Sequence, residues 1–133
     1  MNDPEIRIAI TVDNFDTAVE FYTHGLGLKF GDKWQNDGNG QLLWAGKAGV
    51  EIFDQEYAAG IDQIETGKQT SGKIRLALEV DDIKESLKNA IEHGAILVHE
   101  AVQTPWGDLN ARIQAPDGMQ ITLFQPKKNL QSK

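Results

Sequence analysis

Two stretches decide the fold: RIAITVDNFDTAVEFYTHG, running from Arg7 to Gly25, and RLALEVDDIKESLKNAIEHG, running from Arg75 to Gly94. Each opens on an arginine, alternates apolar and polar residues, passes an acidic pair or Asp-Asn, and closes on His-Gly. A repeat of this kind marks two copies of one supersecondary unit, neither of which buries its apolar face alone. In the first copy Ile6, Ile8 and Ile10 alternate with Arg7, Ala9 and Thr11. That is the period of a strand, and it predicts an apolar face turned to a packed helix with the arginine on the other face. Asp13 or Asn14 can cap the helix that follows, where Phe15, Ala18, Val19 and Tyr22 form one stripe and Gly25 is the stop. Residues 28–34, 41–45 and 49–53 then read as strands separated by NDGNG and GKAG, which is hairpin chemistry.

The second copy repeats the order: a strand over 74–80, a helix over 83–93, and strands near 96–103, 109–114 and 119–124. Asp82 and Glu85 make a capping box, and Ile83, Leu87, Ala90 and Ile91 the buried stripe. The expectation is an α+β fold, one domain over residues 1–133, built from two tandem βαβββ modules at about 6–56 and 74–125. They are joined by a linker at about 54–73. That connection, rich in Gly, Gln and Thr, reads as a plain linker ahead of a loop that covers a ligand site.

Composition narrows the function. The chain has 133 residues and a formal charge of −7, which repels phosphate backbones and argues against nucleic acid. The basic tail around Lys127 and Lys128 reads as frayed and solvated. There is no cysteine, hence no disulfide or thiolate metal site. MNDPEIR shows no secretory signal and no apolar run reaches membrane length, so a cytoplasmic protein without membrane partners is expected.

The duplicated unit, FYTHGLGL after the first helix, and PWGDLNARIQAPDGMQITLF near the end together resemble the vicinal oxygen chelate superfamily, the glyoxalase, bleomycin resistance and dioxygenase group. The resemblance covers almost the whole chain. It implies two modules side by side, each curling its sheet around a cavity. Metal-dependent members place a ligand on the first and last strand of each module, and those positions fall here on Arg7, Glu51, Arg75 and Thr122. A guanidinium stays protonated and offers no lone pair, and a threonine hydroxyl is a weak neutral donor. The expectation is therefore no metal and no cofactor.

The arginines have two readings: an internal ion network with Glu51 and Glu79, or a two-armed clamp for a carboxylate, phosphate or phenolate. Both hold if a ligand displaces Glu51. Strand alternation carries Phe53 to the face of Glu51 and Phe124 to that of Thr122, and Trp106, after Pro105 in a turn, is the tryptophan expected to touch a ligand or partner. His24 and His93 read as caps of their helices and His99 as an ordinary exposed strand residue. These residues point to a small-molecule-binding protein that sequesters an aromatic or anionic ligand, similar to the bleomycin-resistance branch and, by that resemblance, a homodimer. The alternative is a lyase, isomerase or dioxygenase with a non-standard metal site.

Overall fold

Strand β1 (Ile6–Thr11) lies at the middle of the sheet, where it pairs antiparallel with β5 (Ile74–Glu79), the opening strand of the second copy. The computed structural model describes residues 4–35, 37–68 and 72–127; Lys128 and the first three residues lie outside them. In the first half β1 leads into helix α1 (Phe15–Glu20), a π-helical turn (Phe21–Gly25), and strands β2 (Lys29–Trp34), β3 (Gly40–Ala45) and β4 (Ala48–Phe53). Helix α2 (Gln55–Thr66) connects the halves. The second half continues from β5 through α3 (Ile83–Glu92), β6 (Ile96–Gln103), β7 (Leu109–Gln114) and β8 (Gln120–Gln125). The eight strands form one sheet in the order β2-β3-β4-β1-β5-β8-β7-β6, so each half runs outward from the centre in the same sequence. Within each half the first and last strands pair in parallel, β1 with β4 and β5 with β8.

Helix α3 covers the outer face of the second half. Its start is fixed twice, by Asp82 accepting from the Glu85 amide at 3.2 Å and by the Gln125 side-chain oxygen accepting from the Ile83 amide at 2.9 Å. Ile83 packs into Ala111, Ile113 and Leu123, with Leu87 and Ala90 behind it. Each large apolar side chain fully buried this way contributes about 1.5–3 kcal/mol. The expected cap by Asp82 is therefore present.

The outer face of the first half is less covered than the alternation predicted. Asn14 caps α1 by accepting from the Thr17 amide at 3.1 Å, but α1 ends after six residues and none of them is buried. Ile52 and Leu43 are buried. Ile6 and Ile8, expected under a helix, remain 45% and 40% exposed. The helix leans toward β4 and leaves the outer side of β1 open. His24 bonds within its turn, to Glu20 at 3.1 Å, and His93 meets the Asn89 carbonyl at 2.8 Å.

The largest correction concerns the segment read as a linker. It forms a helix that lies against the inner face of the sheet, touching β4, β6 and β7. Asp54 caps it by accepting from the Tyr57 amide at 2.8 Å, and Gly67 ends it with a left-handed φ of 78°. The other oxygen of Asp54 accepts from the Asn39 amide at 2.9 Å, tying the β2–β3 hairpin to the first turn of α2. The sequence hid this helix because two of its three buried residues, Asp62 and Glu65, are carboxylates, which read as solvated.

Candidate functional site

Register puts four of the expected residues on one face. Glu51 pairs with Ala9, and Thr122 pairs with Ala77, so each stands at the same place in its half, diagonal to an arginine two residues earlier. Across the central pair Arg7 faces Ala77 and Arg75 faces Ala9. Small residues opposite the arginines keep the two like charges off a direct cross-strand pair, which would be destabilising.

The first half closes its charge with acids of its own, Glu51 in β4 and Glu5 just before β1. Arg7 Nη1 donates to Glu51 Oε2 at 2.9 Å and Nη2 donates to Glu5 at 3.0 Å. The guanidinium lies 5.9 Å from the ring centre of Trp44 and 6.0 Å from that of Phe124, within reach of both π faces. Burial works against its charge while Glu51 and Glu5 favour it, and the balance holds Arg7 above the ordinary arginine value. Its Nε is buried and finds no acceptor among the described residues.

The second half lacks an acid at the equivalent position and takes one from α2. Arg75 Nη1 donates to the Thr122 hydroxyl at 2.7 Å, and that hydroxyl donates to Glu65 Oε1 at 2.7 Å. Glu65 also accepts from Arg112 Nη2 at 2.6 Å, from Arg112 Nε at 3.1 Å, and from Asn110 Nδ2 at 2.9 Å. Asp62 accepts from Arg112 Nη2 at 3.0 Å. Arg112 is 0% exposed and Glu65 2%. Among the described residues Arg7, Arg75 and Arg112 are thus met, directly or through Thr122, by Glu5, Glu51, Asp62 and Glu65.

Tyr57, in the first turn of α2, joins the halves. Its ring stacks 6.1 Å from Trp34 and lies 4.8 Å from Phe53, over which Arg75 sits at 5.9 Å. Burial first, then the charge of Glu51, push the Tyr57 hydroxyl up to about 12 against the opposing pull of Arg75. Between about pH 10 and 12 the folded state keeps a proton that the unfolded chain releases, so this contribution is present below that window and lost as pH rises through it. The thermal midpoint is expected to fall more steeply above pH 10 than in Tyr57→Phe. Parallel alkaline limbs in the two proteins would refute the buried phenol.

Of the residues expected from sequence, Arg7, Glu51, Phe53, Arg75, Thr122 and Phe124 all lie on the inner face. Trp106 stands in the turn before β7, 49% exposed, and its Nε1 donates to Asp108 of the same turn at 3.1 Å. Glu79 accepts from the Glu5 amide at 3.3 Å. Sequence reasoning missed Tyr57, Asp62, Glu65, Asn110 and Arg112. A signal existed for Arg112: in β7 Leu109, Ala111 and Ile113 alternate with Asn110, Arg112 and Gln114, and Arg112 pairs with Thr122. A cleft of about 380 Å³ opens beside α2, between Thr11, Asp13, Gln55 and Lys73, with Asp62 at its wall.

A divalent metal does not suit the four family positions. Two are guanidiniums without a lone pair, the third is a neutral hydroxyl already shared between Arg75 and Glu65, and the acid is held by Arg7.

A sheet of two βαβββ halves meeting at their first strands, with charged side chains aimed into its inner face, defines the class. The chain belongs to the Glyoxalase/Bleomycin resistance protein/Dioxygenase superfamily, which it matches over residues 6–123. Solved structures share the fold. A hypothetical protein, BH1468, from Bacillus halodurans C-125 superposes with a TM-score of 0.69 at 19% identity, covering 95% of this chain and 96% of that one. A glyoxalase/bleomycin resistance protein/dioxygenase superfamily member from Vibrio splendidus 12B01 gives 0.66 at 15% identity, covering 93% and 100%. Methylmalonyl-CoA epimerase from Mycobacterium tuberculosis gives 0.65 at 21% identity, covering 96% and 90%. No curated protein matches the chain.

Proposed function

We propose that the chain is a small-molecule-binding member of the superfamily, of the sequestering, bleomycin-resistance kind, holding an aromatic or anionic ligand on the inner face without metal-dependent chemistry. The observation that carries this reading is Arg7: a half-buried guanidinium between the rings of Trp44 and Phe124, with Nε buried and unsatisfied among the described residues. A buried donor without an acceptor is costly, and a planar anion flanked by aromatic faces supplies what it lacks. Phe53 and Arg75 extend the same surface across the central strands. The epimerase among the structural neighbours shares the fold, and its reaction is not carried over. Cytoplasmic residence and a homodimer belong to this reading, the latter supported by the open outer side of Ile6, Ile8 and Ile74.

Benzoate tests it. A ligand that binds only the folded state at a hundredfold excess over Kd stabilises by about 2.7 kcal/mol, a rise of roughly 10 °C in midpoint for a domain of this size. The rise is expected in the unaltered protein and not in the Arg7→Leu/Arg75→Leu double variant. An equal rise in both, or stoichiometric nickel, zinc, iron or manganese that is lost in Glu51→Ala, would sink the reading.

A further inference from the structure

The two halves satisfy their arginines differently. In the first half the acid, Glu51, is part of a strand and cannot leave. In the second, Thr122 stands at that position, and the carboxylate arrives on a helix that belongs to neither repeat. We infer that Arg75, Arg112, Thr122 and Asn110 form a carboxylate-binding cradle in which Glu65 of α2 is an intramolecular stand-in, and that a dicarboxylate ligand takes its place by lifting α2 from the sheet. The inference rests on the reading of the protein as a small-molecule binder and adds the ligand class and its route of entry.

The geometry of the cradle is that of anion recognition. One carboxylate oxygen takes the Thr122 hydroxyl and both Nε and Nη2 of Arg112, while the other takes the Asn110 amide. Asp62, one turn earlier on α2, places a second carboxylate on the same guanidinium, so the helix presents the pattern of a dicarboxylate.

The attachment of α2 is also of a kind that an anion can compete with. Its first turn packs Tyr57 and Ala58 against Trp34 and Phe53, but the buried residues of its later turns are Asp62 and Glu65, so that part docks through ion pairs. Such pairs gain in Coulomb energy roughly what they lose in desolvation. Once lifted, Asp62 and Glu65 return to water, whereas Arg112 gives up these two carboxylates and gains from another anion in their place. A free helix of this length with Gly60 in its interior is marginal in water, so lifting also unwinds it.

Hydrogen exchange with succinate as the probe reads this directly. Succinate is expected to speed exchange of the α2 amides from Ala58 to Thr66 by about threefold or more, because the open form becomes populated. Glu65→Gln keeps the shape and removes the competing charge, and should lower the half-effective succinate concentration about tenfold. Adding Arg112→Gln to that variant should abolish the response. If succinate leaves α2 protected in both the unaltered protein and Glu65→Gln, the cradle is overturned. A benzoate response that requires Arg7 and Arg75 while α2 stays protected would overturn the cradle and leave the binding reading intact, and absence of both responses would overturn both.

Discussion

Replacing Arg112 by methionine is expected to destabilise the protein by about 3–5 kcal/mol, the cost of breaking a buried ion pair from one side. The side chain is fully buried and holds Asp62 at 3.0 Å and Glu65 at 2.6 Å, so its loss leaves two carboxylates facing each other with much of their compensation gone. Against a total stability of about 5–15 kcal/mol this is a large fraction, and a fall in midpoint of roughly 10–20 °C follows. Methionine fills much of the volume, so the loss reports charge more than cavity. The companion variant, with Asp62 and Glu65 also made leucine, should recover part of the deficit, since apolar substitutes for a buried ion cluster are often neutral or better. Recovery is expected to be incomplete. Thr122 and Asn110 lose their shared acceptor, and Arg75 loses the carboxylate it reaches through Thr122. Chemical denaturation of the three proteins checks the series. A cost below about 1 kcal/mol for Arg112→Met would mean that water reaches the cluster and that α2 is not held by it.

The same cluster marks where the sequence stopped being informative. Strands were legible because their partners are announced by a period of two: Ile8 and Ile10 alternate with Arg7 and Ala9, and Glu51 shares a face with Phe53 whatever lies opposite. The repeat then fixed how the halves relate, and the four inner positions followed from the resemblance it carries. Helix α2 escaped because its inward face is Tyr57, Ala58, Asp62 and Glu65, and an acid is apolar in no scale. Its burial is decided by Arg112, which bonds Glu65 across 47 positions and Asp62 across 50, and pairwise information of that range is not local. The caps were visible in principle: Asp54 and Gly67 bracket the segment as a helix start and stop. Ile6, Ile8 and Ile74 show the opposite limit. Alternation told which face they occupy but not whether anything covers it, and they are 40–46% exposed.

A methyl group at Gly38 should loosen α2 without touching a charge. Gly38 has φ of 104°, outside the region that residues with a Cβ adopt easily, and an alanine there stores about 1–3 kcal/mol of backbone strain. The space is closed as well. A Cβ would stand 2.4 Å from the Tyr57 amide nitrogen and 2.7 Å from Asp54 Oδ1, the two atoms that make the N-cap of α2. The first is backbone and the second is a side-chain oxygen tied to that same amide, so the hairpin or the first turn of the helix must shift. The hairpin is held by Asp54 Oδ2 through both nitrogens of Asn39, and any movement that relieves the clash disturbs the same carboxylate. Gly38→Ala is therefore expected to cost more than the strain alone and to release Tyr57 from its stack on Trp34 and Phe53. The alkaline signature changes with it: as the Tyr57 hydroxyl gains water its pKa falls back from about 12 toward 10, and the extra loss of stability in that window shrinks. Tyrosinate absorbance titrated in the folded variant reads that shift. A Gly38→Ala protein with unchanged midpoint and an unchanged phenol titration would show that the hairpin yields on its own and that the first turn of α2 does not depend on it.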